Sequence, residues 1–492
     1  MTKNDPDPVP DPDPEKLTKN DPVPDSVYSL LWCFMITISF YQGTLSIVVN
    51  SDNSFVVQSI PGCKWDHRTQ CFRLPAFKYH ELITVLYNKE IPYKDEARLY
   101  EILQMDHQLD REPFHHQKQA IASWNKFRKR GYVVLPTGTG KSFVAILAML
   151  ESKRSTAIVV PTIDLMHQWY DNVKNFFPNI PIGLIGGGNY QPASITITTY
   201  DSAYIHFDKI GNLFGLVIFD ECHHLPGRTY RLGAEFILAP YRLGLSATPE
   251  RLDGGHNDLN YLIGPCVFRK EINEMAGPYL ADYNVVQVTA RLSAEERKEY
   301  QKNRSLYVTF LRRNYLQMGR NGWQKFIQVS HRTEEGRRAF IAYRKQKQIA
   351  QATPSKLKTL EYLIRKHHNE RLLIFTHDNA TAYKISLRFL VPVITHQTKI
   401  KERKDILKKY SEGVYSIIVT SKVLNEGVDI PSASIGIILS GSASVREHVQ
   451  RLGRILRKHG DKKATLYEVV TEGTSEESVS QRRREHNAYK RE

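Results

Sequence analysis

The sequence predicts an α/β protein with two doubly wound parallel-sheet lobes, a basic helical insert between them and a small α+β domain in front. Three observations carry that reading. Short apolar runs alternate with helix-like stretches twice over, between about 105 and 285 and between about 355 and 475. Only the first set contains a Gly-rich turn, Leu135-Pro136-Thr137-Gly138-Thr139-Gly140-Lys141-Ser142, placed between an apolar run and an apolar helix. The residues joining the two sets are helix-like and rich in Lys and Arg.

At 492 residues the chain has room for two to four domains, each with its own core. A net charge of +16 favours a polyanionic partner, nucleic acid before a membrane. Five scattered cysteines, an odd number, argue against a disulfide framework and for a reducing compartment. Cys63, His67 and Cys71 offer three ligands only, at a spacing foreign to zinc sites. The N-terminus is Asp/Pro-rich and unlike a signal peptide. The most apolar stretch, 30–49, is broken by Thr37, Ser39, Gln42 and Gly43 and reads as strands rather than a membrane span. The expectation is a soluble, cytoplasmic protein (nuclear if the source is eukaryotic), monomeric when free.

In chain order, residues 1–25 repeat Thr-Lys-Asn-Asp-Pro and read as a disordered tail. Residues 26–100 read as a small mixed domain, with strands around 34–40, 45–50 and 55–57 preceding the segments 64–66 and 72–74 and a helix near 77–88. Its Trp65, Arg68, Arg73 and Lys78 form either a DNA-contacting face or the solvated rim of a packing module. The first lobe spans 101–285, with strands near 132–135, 157–160, 195–198, 216–219 and 241–245. The insert, 286–352, concentrates basic residues at a domain junction, which suits DNA contact. The second lobe, 353–492, has strands near 372–375, 417–420, 435–439 and 465–469 but no phosphate loop. A nucleotide is therefore expected at the cleft between the lobes.

The chemistry begins at the Gly-rich turn. Gly138 and Gly140 let the backbone curl so that N–H groups point at phosphate oxygens, and the following helix adds its positive end. Lys141 would reach the outer phosphates, and the Ser142 hydroxyl would ligate Mg²⁺. Leu135 stands where the strict pattern has Gly. Asp220-Glu221-Cys222-His223 ends a buried strand downstream of that loop. Asp220 suits Mg²⁺, usually through water, and Glu221 suits an attacking water. Ser246-Ala247-Thr248 follows another apolar run, with hydroxyls able to bond the Asp220 neighbourhood or the cleft. Arg454 and Arg457, at i and i+3, share one helical face and are candidates to neutralise the γ-phosphate as the lobes close.

In this order the motifs resemble those of the superfamily 2 helicases, specifically the XPB-type branch, over roughly 100–485. Gln117 would be the adenine-reading Gln. Pro136, Thr137, Gly138, Thr139, Gly140, Lys141 and Ser142 fall in motif I, and 160–169 matches motif Ia. Further on, 197–200 resembles motif Ib, 220–223 motif II, 246–248 motif III, 372–376 motif IV, 420–431 motif V and 450–457 motif VI.

The resemblance implies two RecA-like lobes, a thumb-like insert bearing Arg312 and Arg313, and a damage-recognition-like N-terminal domain. It implies that Gly427 and Asp429 help close the site on ATP. It also implies that Pro161, Thr162, Thr199, Thr376 and Ser421 grip DNA phosphates through hydroxyls and nearby N–H groups. The implied activity is an ATP- and Mg²⁺-dependent 3′–5′ DNA helicase in repair, acting on single-stranded, duplex or forked DNA beside a separate nuclease partner. One departure stands out. The branch carries Arg-Glu-Asp after motif III, and this chain has Arg251-Leu252-Asp253. That leaves a duplex translocase or branch-processing ATPase without productive unwinding as the alternative, and a DNA-binding scaffold with a vestigial ATPase as the rival from another class.

Overall fold

A computed structural model describes residues 36–49, 53–106, 111–251, 253–318, 322–421, 433–440 and 463–484. They fall into two compact units. One holds the described residues up to Leu135 and Gly140–Lys270, the other Pro136–Thr139 and the described residues from Glu271 onward. Among the described residues no helix is long and apolar enough to cross a membrane.

The first unit opens with β1 (Ile36–Tyr41), β2 (Thr44–Val48), β3 (Lys64–Asp66), β4 (Cys71–Pro75) and β5 (Tyr93–Asp95), in the sheet order β3-β4-β2-β1-β5. Gln42 (φ +48°) and Gly43 (φ +71°) supply the two left-handed residues of a tight hairpin, in which Tyr41 faces Thr44. Alternate residues Ile36, Ile38, Leu45 and Ile47 point inward and share a core with Leu82, Ile83 and Leu86 of the helix Tyr79–Asn88. Leu238 of the neighbouring lobe joins that core, and Asn212 Nδ2 donates to Ala97 O at 2.9 Å, so the small domain is fixed to the lobe that follows it.

One expectation changes here. The run 55–57 is not a strand but part of the helix Ser54–Gln58, which buries only Val57. Both sides of β2 are already paired, and Phe55 stays exposed. Of the four residues read as either a DNA-contacting face or a solvated rim, the three basic ones have acidic neighbours. Arg68 and Arg73 lie 3.1 and 3.7 Å from Asp66, Lys78 lies 2.5 Å from Glu81, and Trp65 packs edge-on against Phe72.

The first lobe is built from β6 (Arg130–Val134), β7 (Thr156–Val160), β8 (Ile182–Gly186), β9 (Asn189–Tyr190), β10 (Ile195–Thr199), β11 (Leu216–Asp220), β12 (Tyr241–Ser246) and β13 (Cys266–Arg269). Their order is β13-β6-β12-β11-β7-β10-β8-β9, parallel except for β9. Val133, Ile158 and Ile218 enter the core on one face, and Val134, Val159 and Val217 enter the core on the other. Burial on both faces is why these strands read as continuous apolar runs. The register places Ser246 opposite Val134, Asp220 opposite Leu245 and Thr199 opposite Val160. Motif ends far apart in sequence thus meet along one carboxyl edge.

The second unit holds β14 (Asp282–Ala290), β15 (Leu372–Phe375), β16 (Val393–Ile394), β17 (Ile417–Thr420), β18 (Ile435–Ile438) and β19 (Lys463–Thr471), in the order β14-β19-β18-β15-β17-β16, all parallel. The boundary expected at 285/286 falls inside β14, which pairs with β19 from Asp282 opposite Lys463 to Ala290 opposite Thr471. As an edge strand β14 exposes Asn284 and Gln287, which masks it among polar residues. The insert follows as helices Ala294–Arg313, Gly322–Ser330 and Glu334–Ala352, packed through Tyr307, Phe310, Phe326 and Ala339. It is anchored to the second sheet's end: Ser475 N donates to Tyr300 Oη at 2.9 Å, and Thr471 Oγ1 donates to Ala350 O at 2.6 Å.

Candidate functional site

β6 leads through Leu135, whose N–H donates to Ser246 O at 3.0 Å, into the Gly-rich turn and the helix Lys141–Ser152. Gly138 (φ +91°) and Gly140 (φ +84°) take left-handed backbone that a side chain would strain. At Gly140 a Cβ would also stand 2.4 Å from Gln117 Nε2. No side chain caps this helix, and of its first turn Phe143 N donates to Gly140 O at 3.0 Å. Within the turn Thr139 Oγ1 donates to Pro136 O at 2.8 Å, and Thr137 Oγ1 is buried without a hydrogen-bond partner. Lys141 Nζ donates to Leu135 O at 3.2 Å. Gln117 is almost fully buried. Its Oε1 accepts from Phe114 N at 2.9 Å and its Nε2 donates to Gly140 O at 3.3 Å, so the residue expected to read adenine also ties its helix to the turn.

Two sheet positions away, Asp220 ends β11. Burial, then the neighbouring Glu221 carboxylate, push its carboxyl up to about 6, against the hydrogen bond from Trp169 and the charge of Lys141. Trp169 Nε1 donates to Oδ2 at 2.8 Å, Glu221 N to Oδ1 at 3.0 Å, and Tyr200 Oη to the Asp220 carbonyl at 2.9 Å. Glu221 itself sits at φ +48°, an unusual state for a non-glycine residue. This turn sets its Oε2 3.4 Å from His223 Nδ1, which in turn lies 3.1 Å from Ser246 Oγ. Ser246 Oγ also accepts from Thr248 N at 3.2 Å. Arg251 extends the chain, donating to His223 O at 3.1 Å while gripping Asp253 at 2.9 and 2.6 Å. Ala247 carries no polar side chain and spaces the two hydroxyls. Leu252 lies outside the described residues.

An open helix start, glycine-only turn geometry, an orphaned threonine hydroxyl and a buried carboxyl that ionises best beside a cation together fit a Mg²⁺–nucleotide polyphosphate. Lys141, Ser142 and Asp220 are the residues that would hold it. Trp169 and Tyr200, which position Asp220, were not foreseen as its partners. No spacing rule links a tryptophan to a carboxylate 51 residues on.

The candidate DNA residues are placed unevenly. Thr162 and Thr199 cap the helices Ile163–Phe176 and Tyr200–Ile210, accepting from Leu165 N and Ser202 N. Their hydroxyls therefore face their own helices, and Pro161 stands just before the first cap. Thr376 is fully buried, its hydroxyl 3.0 Å from Asp378 O and 3.2 Å from Thr420 O, and Ser421 is buried as well. Neither presents a hydroxyl to solvent, because each ends a central strand. Arg313 pairs with Glu335 at 2.8 Å, and Arg312 lies beside it in the last turn of its helix. Gly427, Asp429, Arg454 and Arg457 lie outside the described residues.

Three family models match the chain in order: the xeroderma pigmentosum group B helicase damage recognition domain over residues 38–97, the type III restriction enzyme res subunit over 110–251, and the ERCC3/RAD25/XPB C-terminal helicase over 334–488. A relative from Sulfurisphaera tokodaii named DNA 3'-5' translocase XPB2 is 40% identical over 86% of this chain and 96% of its own. The DNA 3'-5' helicase XPB of Kineococcus radiotolerans is 29% identical over 75% of this chain and 61% of its own. The Pyrococcus furiosus Hef helicase domain shares the fold, with a TM-score of 0.50 and 17% identity over 75% of this chain and 97% of that one. With its three modules matched in order and an identity of 40% along nearly the whole length of a relative, the chain belongs to the XPB-type family of superfamily 2 helicases.

Proposed function

We propose that the chain is an ATP-dependent DNA helicase that couples hydrolysis of Mg²⁺-bound ATP to 3′–5′ movement along DNA and to its unwinding, in DNA repair. The observation that carries this reading is the shared carboxyl edge. An uncapped, glycine-opened helix start lies two strands from Asp220 and Glu221, on a chain of the XPB-type family. Lys141 and the turn N–H groups neutralise phosphate charge. Ser142 and Asp220 hold Mg²⁺, which when bound polarises the phosphoryl oxygens. Glu221 orients water and accepts its proton, Gln117 faces the base, and Arg454 and Arg457 complete the charge around the γ-phosphate. DNA is gripped at its phosphates, by the backbone following Pro161, Thr162 and Thr199 and by Arg312 and Arg313, which makes affinity salt-dependent. The enzyme acts as a monomer beside a separate nuclease, in the cytoplasm or, in a eukaryote, the nucleus.

A duplex translocase is the second reading. The carboxylates of the post-motif III element are reduced to Asp253, and that one is closed on Arg251. ATP hydrolysis measured without DNA, with single strands and with duplex, alongside strand displacement from 3′ and 5′ overhangs, separates the two. DNA-stimulated hydrolysis with displacement from the 3′ overhang alone supports the helicase, and duplex stimulation without displacement supports the translocase. Glu221→Gln should bind ATP and fail to hydrolyse it. Absence of hydrolysis by the unaltered chain despite DNA binding would return it to a scaffold.

A further inference from the structure

We propose that the second unit carries a subsite for unpaired DNA in the groove between the insert helix Glu334–Ala352 and the helix Asn379–Phe389, with Trp323 and Tyr343 as its base-stacking platform. The inference rests on the DNA reading above and adds where a separated strand lies. The groove encloses about 830 Å³. On one wall the rings of Trp323 and Tyr343 stand 5.0 Å apart at 46°, and Phe326 supports both at 5.5 and 6.0 Å. Trp323 keeps 38% of its surface exposed, while Phe326 behind it is fully buried. An aromatic held rigidly from behind and open in front is what a stacking base requires.

Charge selects the occupant. Arg344 and Lys347 line the groove from the insert and Lys384 from the opposite helix, and among the described residues none of the three has a carboxylate partner. Lys347 Nζ hangs 5.8 Å over the Tyr343 ring, and Lys384 Nζ donates only to Ala352 O at 3.4 Å. Lys345 also lines the groove but is paired with Glu299 at 3.4 Å. The lining carboxylate, Asp378, has Oδ1 on Thr381 N at 2.8 Å and Oδ2 on Thr381 Oγ1 at 2.9 Å. The uncommitted charge is therefore positive. Cations alone would take any polyanion. Cations beside an open aromatic pair favour a strand whose bases are free to stack, which a duplex does not offer. Arg312 and Arg313 are not among the residues lining this groove, so it is separate from the grip assigned to them.

The full-length chain should be titrated with an oligo(dT), an abasic phosphodiester chain of equal length, a duplex and a poly-glutamate peptide, following tryptophan fluorescence and affinity. The expected result is quenching by oligo(dT), no quenching in Trp323→Phe although it still binds, and an oligo(dT) affinity about tenfold weaker in Trp323→Leu with abasic-chain affinity unchanged. Lys347→Glu with Lys384→Glu should weaken both chains and flatten the salt slope by about 1.4, near 0.7 for each lost phosphate contact. Equal quenching by the abasic chain, an unchanged oligo(dT) affinity in Trp323→Leu, or equal binding of poly-glutamate would each overturn the subsite. DNA-independent ATP hydrolysis, to which these residues are remote in role, should be unaltered in every variant and reports folding. If the unaltered chain shows no DNA-stimulated hydrolysis, the helicase reading itself fails. If stimulation persists and Trp323→Leu is silent, only this inference does.

Discussion

The two parallel sheets deliver strands into helices at their carboxyl edges, yet they finish those helices differently. After β6 the helix Lys141–Ser152 starts from Gly140 with no side-chain cap. After β7 and β10 the starts are closed by Thr162 and Thr199. In the second sheet, β15 leads to the helix Asn379–Phe389, closed by Asp378 with a carboxylate. A helix dipole is common to all four starts. At the β6 junction glycine in left-handed backbone takes the place of a capping side chain. Absence of a cap is not enough by itself, since the helix Arg228–Phe236 also starts uncapped from Gly227; the left-handed backbone of Gly138 and Gly140 is what shapes the β6 turn.

That contrast can be broken from either side. The largest effect is expected from Lys141→Ala, which removes the cation of the open junction: hydrolysis should fall at least about 100-fold, measured by phosphate release. Gly140→Asp would install at β6 the kind of cap that Asp378 supplies in the second sheet. It combines a strained backbone with a Cβ directed at Gln117, and ATP affinity should drop about 10- to 100-fold, the equivalent of 1–3 kcal/mol of strain, by titration with a fluorescent nucleotide.

A smaller effect follows from Trp169→Phe. The indole N–H favours the ionised Asp220, so its loss raises a carboxyl already near 6. Since Mg²⁺ binding needs the carboxylate, the acid limb of the rate–pH profile should move to higher pH, with the alkaline plateau retained. The linkage to stability has the opposite sense to that of an ordinary paired aspartate. The folded state holds this proton more tightly than the unfolded one, so the contribution is present below about pH 4 and lost as pH rises through about 6. Mg²⁺ should therefore raise the melting temperature more at pH 7.5 than at pH 5. The smallest effect is reserved for the closed junctions. Thr162→Ala and Asp378→Ala should each cost about 1 kcal/mol in denaturant unfolding, with the KM for ATP unchanged.

Legibility followed burial. The strands of both lobes were readable because parallel strands covered on both faces are apolar throughout, as at 157–160 and 216–219. β14 escaped because an edge strand shows the solvent a polar face, and its neighbours biased the reading toward a charged insert. The short apolar run at 55–57 misled for the reverse reason: it had strand composition and no sheet edge to join. At the site, Lys141, Asp220 and Glu221 were legible because their chemistry is local to a turn or a strand end. The bonds that tune them were not. Trp169 to Asp220 and His223 to Ser246 are made by strand order, which no stretch of sequence carries alone. The burial of Thr376 and Ser421 was not legible, because motif position says nothing of which way a side chain turns.

β14 has a mechanical meaning as well. Its pairing with β19 along its whole length, with the Tyr300 and Ala350 anchors, welds the insert to the second sheet as an arm. The helix Ala294–Arg313 that leaves this weld has 20 residues and so reaches about 30 Å. At that length a turn of about 7° at its root displaces its far end by about 3.7 Å.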